Sequence, residues 1–143
     1  VVSISPELLI VVAAINFLIS LLLAWIASFI VYAKNKFLQR FFVSTRYLIR
    51  AHIDFLLMSL LLVATFYLVN QFELIVPDYI LILAIVGAIY NPLGFVILSV
   101  KPHLSSPTST LSKTVTLLAF IPTTIGFGYP MVKLLLSLGP SII

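Results

Sequence analysis

Four stretches of this chain, at about 8–32, 47–69, 79–100 and 111–138, each run for more than 20 residues with almost no charge. A helix needs about 20 apolar residues to cross the hydrocarbon core of a bilayer. With no water there to satisfy backbone N–H and C=O groups, only helices and closed barrels can span it. The runs are continuous rather than alternating, so the pattern predicts helices. Of the 143 residues, 62% are hydrophobic and 8% charged, with a mean hydropathy of +1.27. A soluble domain of this size needs a far more charged exterior. The expected fold is therefore all-α: one transmembrane domain, 1–143, forming a four-helix up-down-up-down bundle.

The punctuation between the runs supports this division. Ser5-Pro6-Glu7 suits a helix start, with Ser5 as N-cap, Pro6 in the first turn and Glu7 on the positive end of the helix dipole. The first run has no basic leader and is too long for a signal-peptide core, so it reads as a retained span. Its interior polar residues, Asn16, Ser20 and Ser28, are of the kind that packs helices together. Trp25, Phe29 and Tyr32 towards its end suit an interfacial belt.

Lys34, Lys36, Arg40, Arg46 and Arg50 follow, interleaved with Phe37, Phe41 and Phe42. Between two spans this mixture reads as a helix at headgroup level facing anionic lipid, and no nucleic-acid partner is expected. Seven of the eight basic residues lie in or beside the first and third connections, while the second holds two of the four acids, Glu73 and Asp78. The positive-inside rule then expects connections 33–46 and 101–110 in the cytoplasm and both termini on the non-cytoplasmic side, in the plasma membrane of a prokaryote. The chain has no cysteine, which excludes disulfides, thiolate nucleophiles and Cys-held metals.

Chemistry-bearing residues concentrate at Arg50-Ala51-His52-Ile53-Asp54. An ionisable side chain in hydrocarbon costs roughly 2.5–3.5 kcal/mol on insertion scales, so it is a functional suspect. At 1.5 Å per residue His52 lies about 7 Å and Asp54 about 10 Å inside the span. Arg50 and Asp54, four apart, share a face and are expected to form a structural ion pair, although Arg before Asp is the weaker orientation. His52 points to the opposite side. There it either bonds a neighbouring helix or ligates haem iron, as a neutral imidazole in an apolar slot commonly does. In the third span Pro92 removes an N–H and frees the Ala88 carbonyl beside Asn91, and Asn91 is expected level with Asp54. The fourth span is interrupted at Pro122-Thr123-Thr124 and again at Gly126-Phe127-Gly128-Tyr129-Pro130, which reads as a kinked helix whose Thr hydroxyls can satisfy freed carbonyls and whose glycines pack closely.

Arg50-Ala51-His52, with Asn91 and Gly94-Phe95 about forty residues later, resembles the four-helix membrane family of styrene oxide isomerase and hydroxylaminobenzene mutase. The resemblance implies haem b ligated by His52, a ferric iron acting as Lewis acid, and Asn91 as the counterpart of the family's third-helix Asn; in an enzyme Asn91, with Asp54, would be the catalytic residues that place the substrate. Where that family has an Asn six residues after the His and a Tyr four after the third-helix Asn, this chain has Met58 and Phe95.

Two functions follow. The favoured one is a non-catalytic subunit, with or without haem b at His52, that packs among other membrane subunits, or with copies of itself, in a respiratory or other energy-converting complex. The other is a haem-dependent isomerase of an epoxide or hydroxylamine. Electron-carrying haems usually have two strong axial ligands. The only other imidazole, His103, would be the second, with its loop folded inward. No other metal site is expected, and a purely structural subunit is what remains if no cofactor binds.

Overall fold

The computed structural model describes residues 5–106 and 110–142. Five helices account for most of them: α1 (Glu7–Val31), α2 (Lys36–Phe41), α3 (Thr45–Gln71), α4 (Asp78–Val100) and α5 (Thr110–Ile142), with a 3₁₀ turn at Pro102–Ser105. Four of these helices are long and apolar enough to cross a membrane. No strand occurs among the described residues.

Buried positions on α1 recur at alternating spacings of four and three, Leu9, Ala13, Asn16, Ser20, Leu23, Ala27 and Ile30. On α3 the same alternation runs through Leu48, Ala51, Phe55, Met58, Leu62, Thr65 and Val69. A repeat of 3.5 residues keeps one seam facing a partner helix along its whole length, and these two helices pack against each other accordingly. Ser59 Oγ donates to the Ala13 carbonyl and Ser20 Oγ to the His52 carbonyl. Seven residues forward on α1 thus match seven back on α3, so the pair is antiparallel.

α3 in turn packs on α4, and α4 on α5. Both pairs are antiparallel too: Asp54 meets Asn91 and Ser44 N–H bonds the Ser99 carbonyl, while Gly87 and Ala84 on α4 meet Thr123 and Gly126 on α5. Contacts between α1 and α4 are few, and α1 and α5 are not among the packed pairs. The long helices therefore follow one another in chain order as a layer. This leaves Leu18, Leu22 and Trp25 of α1 exposed at one edge, and Leu117, Leu118, Leu135 and Leu136 of α5 at the other. Apolar faces of this extent have lipid or protein as their solvent.

The ends of the helices are tied by local bonds. Asn35 caps α2, its side-chain oxygen accepting from Phe37 N–H and Leu38 N–H. α1 begins one residue later than expected, with Pro6 at the cap position, and the Ser5 hydroxyl bonds the Glu7 carboxylate instead of a backbone N–H. Part of the expected 101–110 connection, 107–109, lies outside the described residues.

α5 runs unbroken through Pro122 and Pro130, and α4 through Pro92. Beside Pro122 the Thr123 hydroxyl donates to the Ala119 carbonyl at 2.7 Å, one residue along from the Leu118 carbonyl that the proline leaves without its helical N–H. The same stretch of α5 packs closely on α4. A Cβ at Gly126 would run into the Ala84 backbone, and one at Gly87 would lie 2.5–2.6 Å from Thr123. Glycine here lets two backbones approach, the usual means of helix association in membranes.

Gly126 and Gly128 form a matched test, because a Cβ at Gly128 would meet nothing within 4 Å. Gly126→Ala is expected to cost about 1–3 kcal/mol by overpacking. Gly128→Ala is expected to be neutral or to stabilise by up to about 1 kcal/mol through helix propensity. Unfolding of both variants in mixed micelles measures the difference.

Candidate functional site: a polar layer across α1, α3 and α4

Two apolar clusters make up the core. Leu9, Val12, Ala13, Met58, Leu62, Leu81, Ala84 and Ala88 form one, and Leu23, Ala27, Ile30, Leu48, Ala51 and Phe55 the other. Along α1 the polar side chains Asn16 and Ser20, 1% and 0% exposed, fall between the two. Side chains buried so completely in a membrane-spanning segment must bond within the protein.

Each does. Asn16 Nδ2 donates to the Ala88 carbonyl at 3.2 Å, the same carbonyl that Pro92 leaves without its helical N–H. The sequence locates the freed carbonyl but not its partner, which comes from α1 rather than from the adjacent Asn91. Ser20 and His52 bond reciprocally. The Ser20 hydroxyl donates to the His52 carbonyl at 3.0 Å, and His52 Nδ1 lies 2.9 Å from both the Ser20 carbonyl and the Ser20 hydroxyl oxygen.

A carbonyl oxygen can only accept, so Nδ1 carries a proton, and in the neutral imidazole the lone pair is then on Nε2. Among the described residues Nε2 has no hydrogen-bond partner, and no buried side-chain nitrogen or oxygen is left unpaired. Nε2 is therefore at the surface of the half-buried His52. On the same side of the α1–α3 pair, about two helical turns away, a shallow apolar depression is lined by Phe17, Ser59, Leu60 and Val63.

Asp54, two residues from His52, faces the other way. Asn91 Nδ2 lies 3.5 Å from Asp54 Oδ2, a long contact that levels the two residues across α3 and α4. The expected Arg50–Asp54 ion pair is replaced by other partners. No contact within 4 Å joins them among the described residues, and the Arg50 guanidinium sits 5.2 Å from the centroid of the Phe95 ring. Side chains on a helix lean towards its N-terminus, so Arg50 extends away from Asp54 to the helix end and lies over an aromatic face. Phe95 also stacks on Tyr47, with ring centroids 6.4 Å apart.

Asn91 and Phe95 help line a cavity of about 260 Å³ between the second half of α4, the 3₁₀ turn and the first half of α5. His52 is not part of it. His103 is exposed on the 3₁₀ turn, which packs on α4, while His52 is turned to α1. The geometry thus unites Asp54 with Asn91 and sets His52 apart from Asn91 and from His103. Met58 belongs to the apolar core. No group of three or more His, Cys, Asp or Glu with metal-site geometry occurs among the described residues.

By length and composition the four apolar helices define a membrane protein. No protein-family model, curated protein or solved structure matches the chain.

A double-mutant cycle tests the origin of the polar layer. Asn16→Ala leaves the Ala88 carbonyl unsatisfied and is expected to cost about 1–3 kcal/mol. In a Pro92→Ala background the helical N–H returns, and the cost of Asn16→Ala is expected to fall by about 1 kcal/mol or more. Equal costs in the two backgrounds would separate Asn16 from the proline gap.

Proposed function

We propose that this chain is a non-catalytic membrane subunit that presents His52 Nε2 as an axial ligand to haem b within a larger respiratory or other energy-converting assembly. The observation that carries the reading is the fixed imidazole. An Nδ1–H held by a backbone carbonyl is the arrangement that metal-ligating histidines commonly use to set tautomer and ring orientation, and Nε2 is left bare at the protein surface. A bare ring nitrogen at membrane depth is costly unless something coordinates or bonds it.

The residues present fit one axial bond. His52 would hold the iron and Ser20 would orient His52; when bound, haem supplies one-electron or Lewis-acid chemistry. The exposed apolar edges of α1 and α5 suit burial against other membrane subunits or further copies of the chain. The basic connections 33–46 and 101–110 support a cytoplasmic position under the positive-inside rule, with both termini outside and the plasma membrane of a prokaryote as the setting.

One observation favours the second reading, an isomerase of an epoxide or hydroxylamine: Asp54 and Asn91 meet beside a cavity. Its difficulty is that His52 faces α1, away from that cavity, so ligand and substrate-placing groups do not converge.

The test is the absorption spectrum of the gently purified protein, oxidised and reduced, with its co-purifying chains identified. The expected result is a Soret band that is lost in His52→Ala and unchanged in His103→Ala. A colourless preparation that keeps its partners would overturn haem binding and leave a purely structural subunit. A band that His52→Ala leaves intact would move the ligand elsewhere, and turnover of an epoxide or hydroxylamine by the pure chain would favour the isomerase.

A further inference from the structure

The cavity between α4 and α5 is a second feature, independent of His52. Its wall is mostly apolar, including Gly94, Phe95, Leu98, Leu104 and Phe120. Asn91, at its deeper end, turns its amide nitrogen to Asp54. From Asn91 to Leu98 the cavity follows α4 for seven residues, about 10 Å, towards the end of the molecule where the basic residues gather.

Two lysines stand at that end. Lys101 lies between the lining residues Leu98 and Leu104, and Lys113 lies two residues before the lining residue Val115. Both are exposed, and each is within about one helical turn of the cavity along its own segment. A third cation, Arg50, sits over Phe95, itself part of the wall. An apolar slot inside a spanning helix pair, with cations near its headgroup-level end, matches an amphiphile with a hydrocarbon tail and an anionic head.

The geometry points to a specific site for an anionic phospholipid of the surrounding bilayer, one acyl chain entering between α4 and α5 and the phosphate held at Lys101 and Lys113. Shape selects the tail, since an acyl chain already in hydrocarbon asks of the wall only close apolar contact. Charge selects the head, because juxtamembrane lysines attract anionic lipid. Gly94 lines the slot, and a Cβ there would meet nothing within 4 Å, so a larger residue at this position has room without displacing backbone.

Gly94→Leu is therefore the variant that fills the site while sparing the fold, and an unchanged melting profile in lipid-free micelles establishes that it folds. Native mass spectrometry of the full chain, exchanged into micelles with equal phosphatidylglycerol and phosphatidylcholine, reads the site. The expected result is retained phosphatidylglycerol in preference to phosphatidylcholine. Retention should be lost in Gly94→Leu and reduced about fivefold in each of Lys101→Ala and Lys113→Ala, the factor equivalent to about 1 kcal/mol per cation. Equal retention of the two lipids, or phosphatidylglycerol held undiminished by Gly94→Leu, would overturn the proposal. Should Gly94→Leu fail to fold, Lys101→Ala and Lys113→Ala decide alone: retention unchanged in both would overturn it.

Discussion

A polar group below the headgroups has no water to turn to, and the interior of this protein follows from that constraint. Pro92 opens α4 at the Ala88 carbonyl, and Asn16 reaches from α1 to close it. Ser20 and His52 exchange hydrogen bonds across the α1–α3 seam, and Ser59 bonds the Ala13 carbonyl further along. These bonds fix which residue lies opposite which, a task that apolar side chains alone perform poorly when lipid is as apolar as they are. Individually each is worth roughly 0.6–2 kcal/mol in a membrane. Jointly they hold three helices in one register.

α3 divides the chemistry. Towards α1 it shows His52, pinned through Nδ1; towards α4 it shows Asp54, level with Asn91. Residues two apart on a helix point to nearly opposite sides, so one short stretch serves two surroundings. The proposed haem ligand stands on one side of α3, while the cavity lies on the other side, between α4 and α5. A partner chain is thus part of the reading, since the bare Nε2 of His52 is on the outer side of the α1–α3 pair.

The four spans were legible because apolar runs of bilayer length admit little else, and the opposed directions of His52 and Asp54 follow from helical geometry alone. The freed Ala88 carbonyl was legible too, from Pro92. Its partner was not, because a single sequence does not say which helix lies beside which. The four-three alternation of Leu9, Ala13, Asn16, Ser20 and Leu23 does place Asn16 and Ser20 on the packed seam, and that signal was available for both. The ion pair rested on a local rule that tertiary contacts modify. Arg50 shares a face with Asp54, but its side chain leans to the helix end and meets Phe95. The prolines of α5 remove donors, yet the helix continues through them and packs on α4 where Gly126 lets the two backbones meet.

The central claim is that His52 keeps its proton on Nδ1 and offers a bare Nε2. ¹⁵N resonances of the His52 ring, measured in bilayers on protein prepared free of any cofactor, report this directly. The account predicts a protonated Nδ1 and an unprotonated Nε2, with the Nδ1 signal coupled through its hydrogen bond to the Ser20 carbonyl. A proton found on Nε2 with Nδ1 bare would contradict it, because the Ser20 carbonyl would then have no donor and the nitrogen offered to a ligand would be the wrong one.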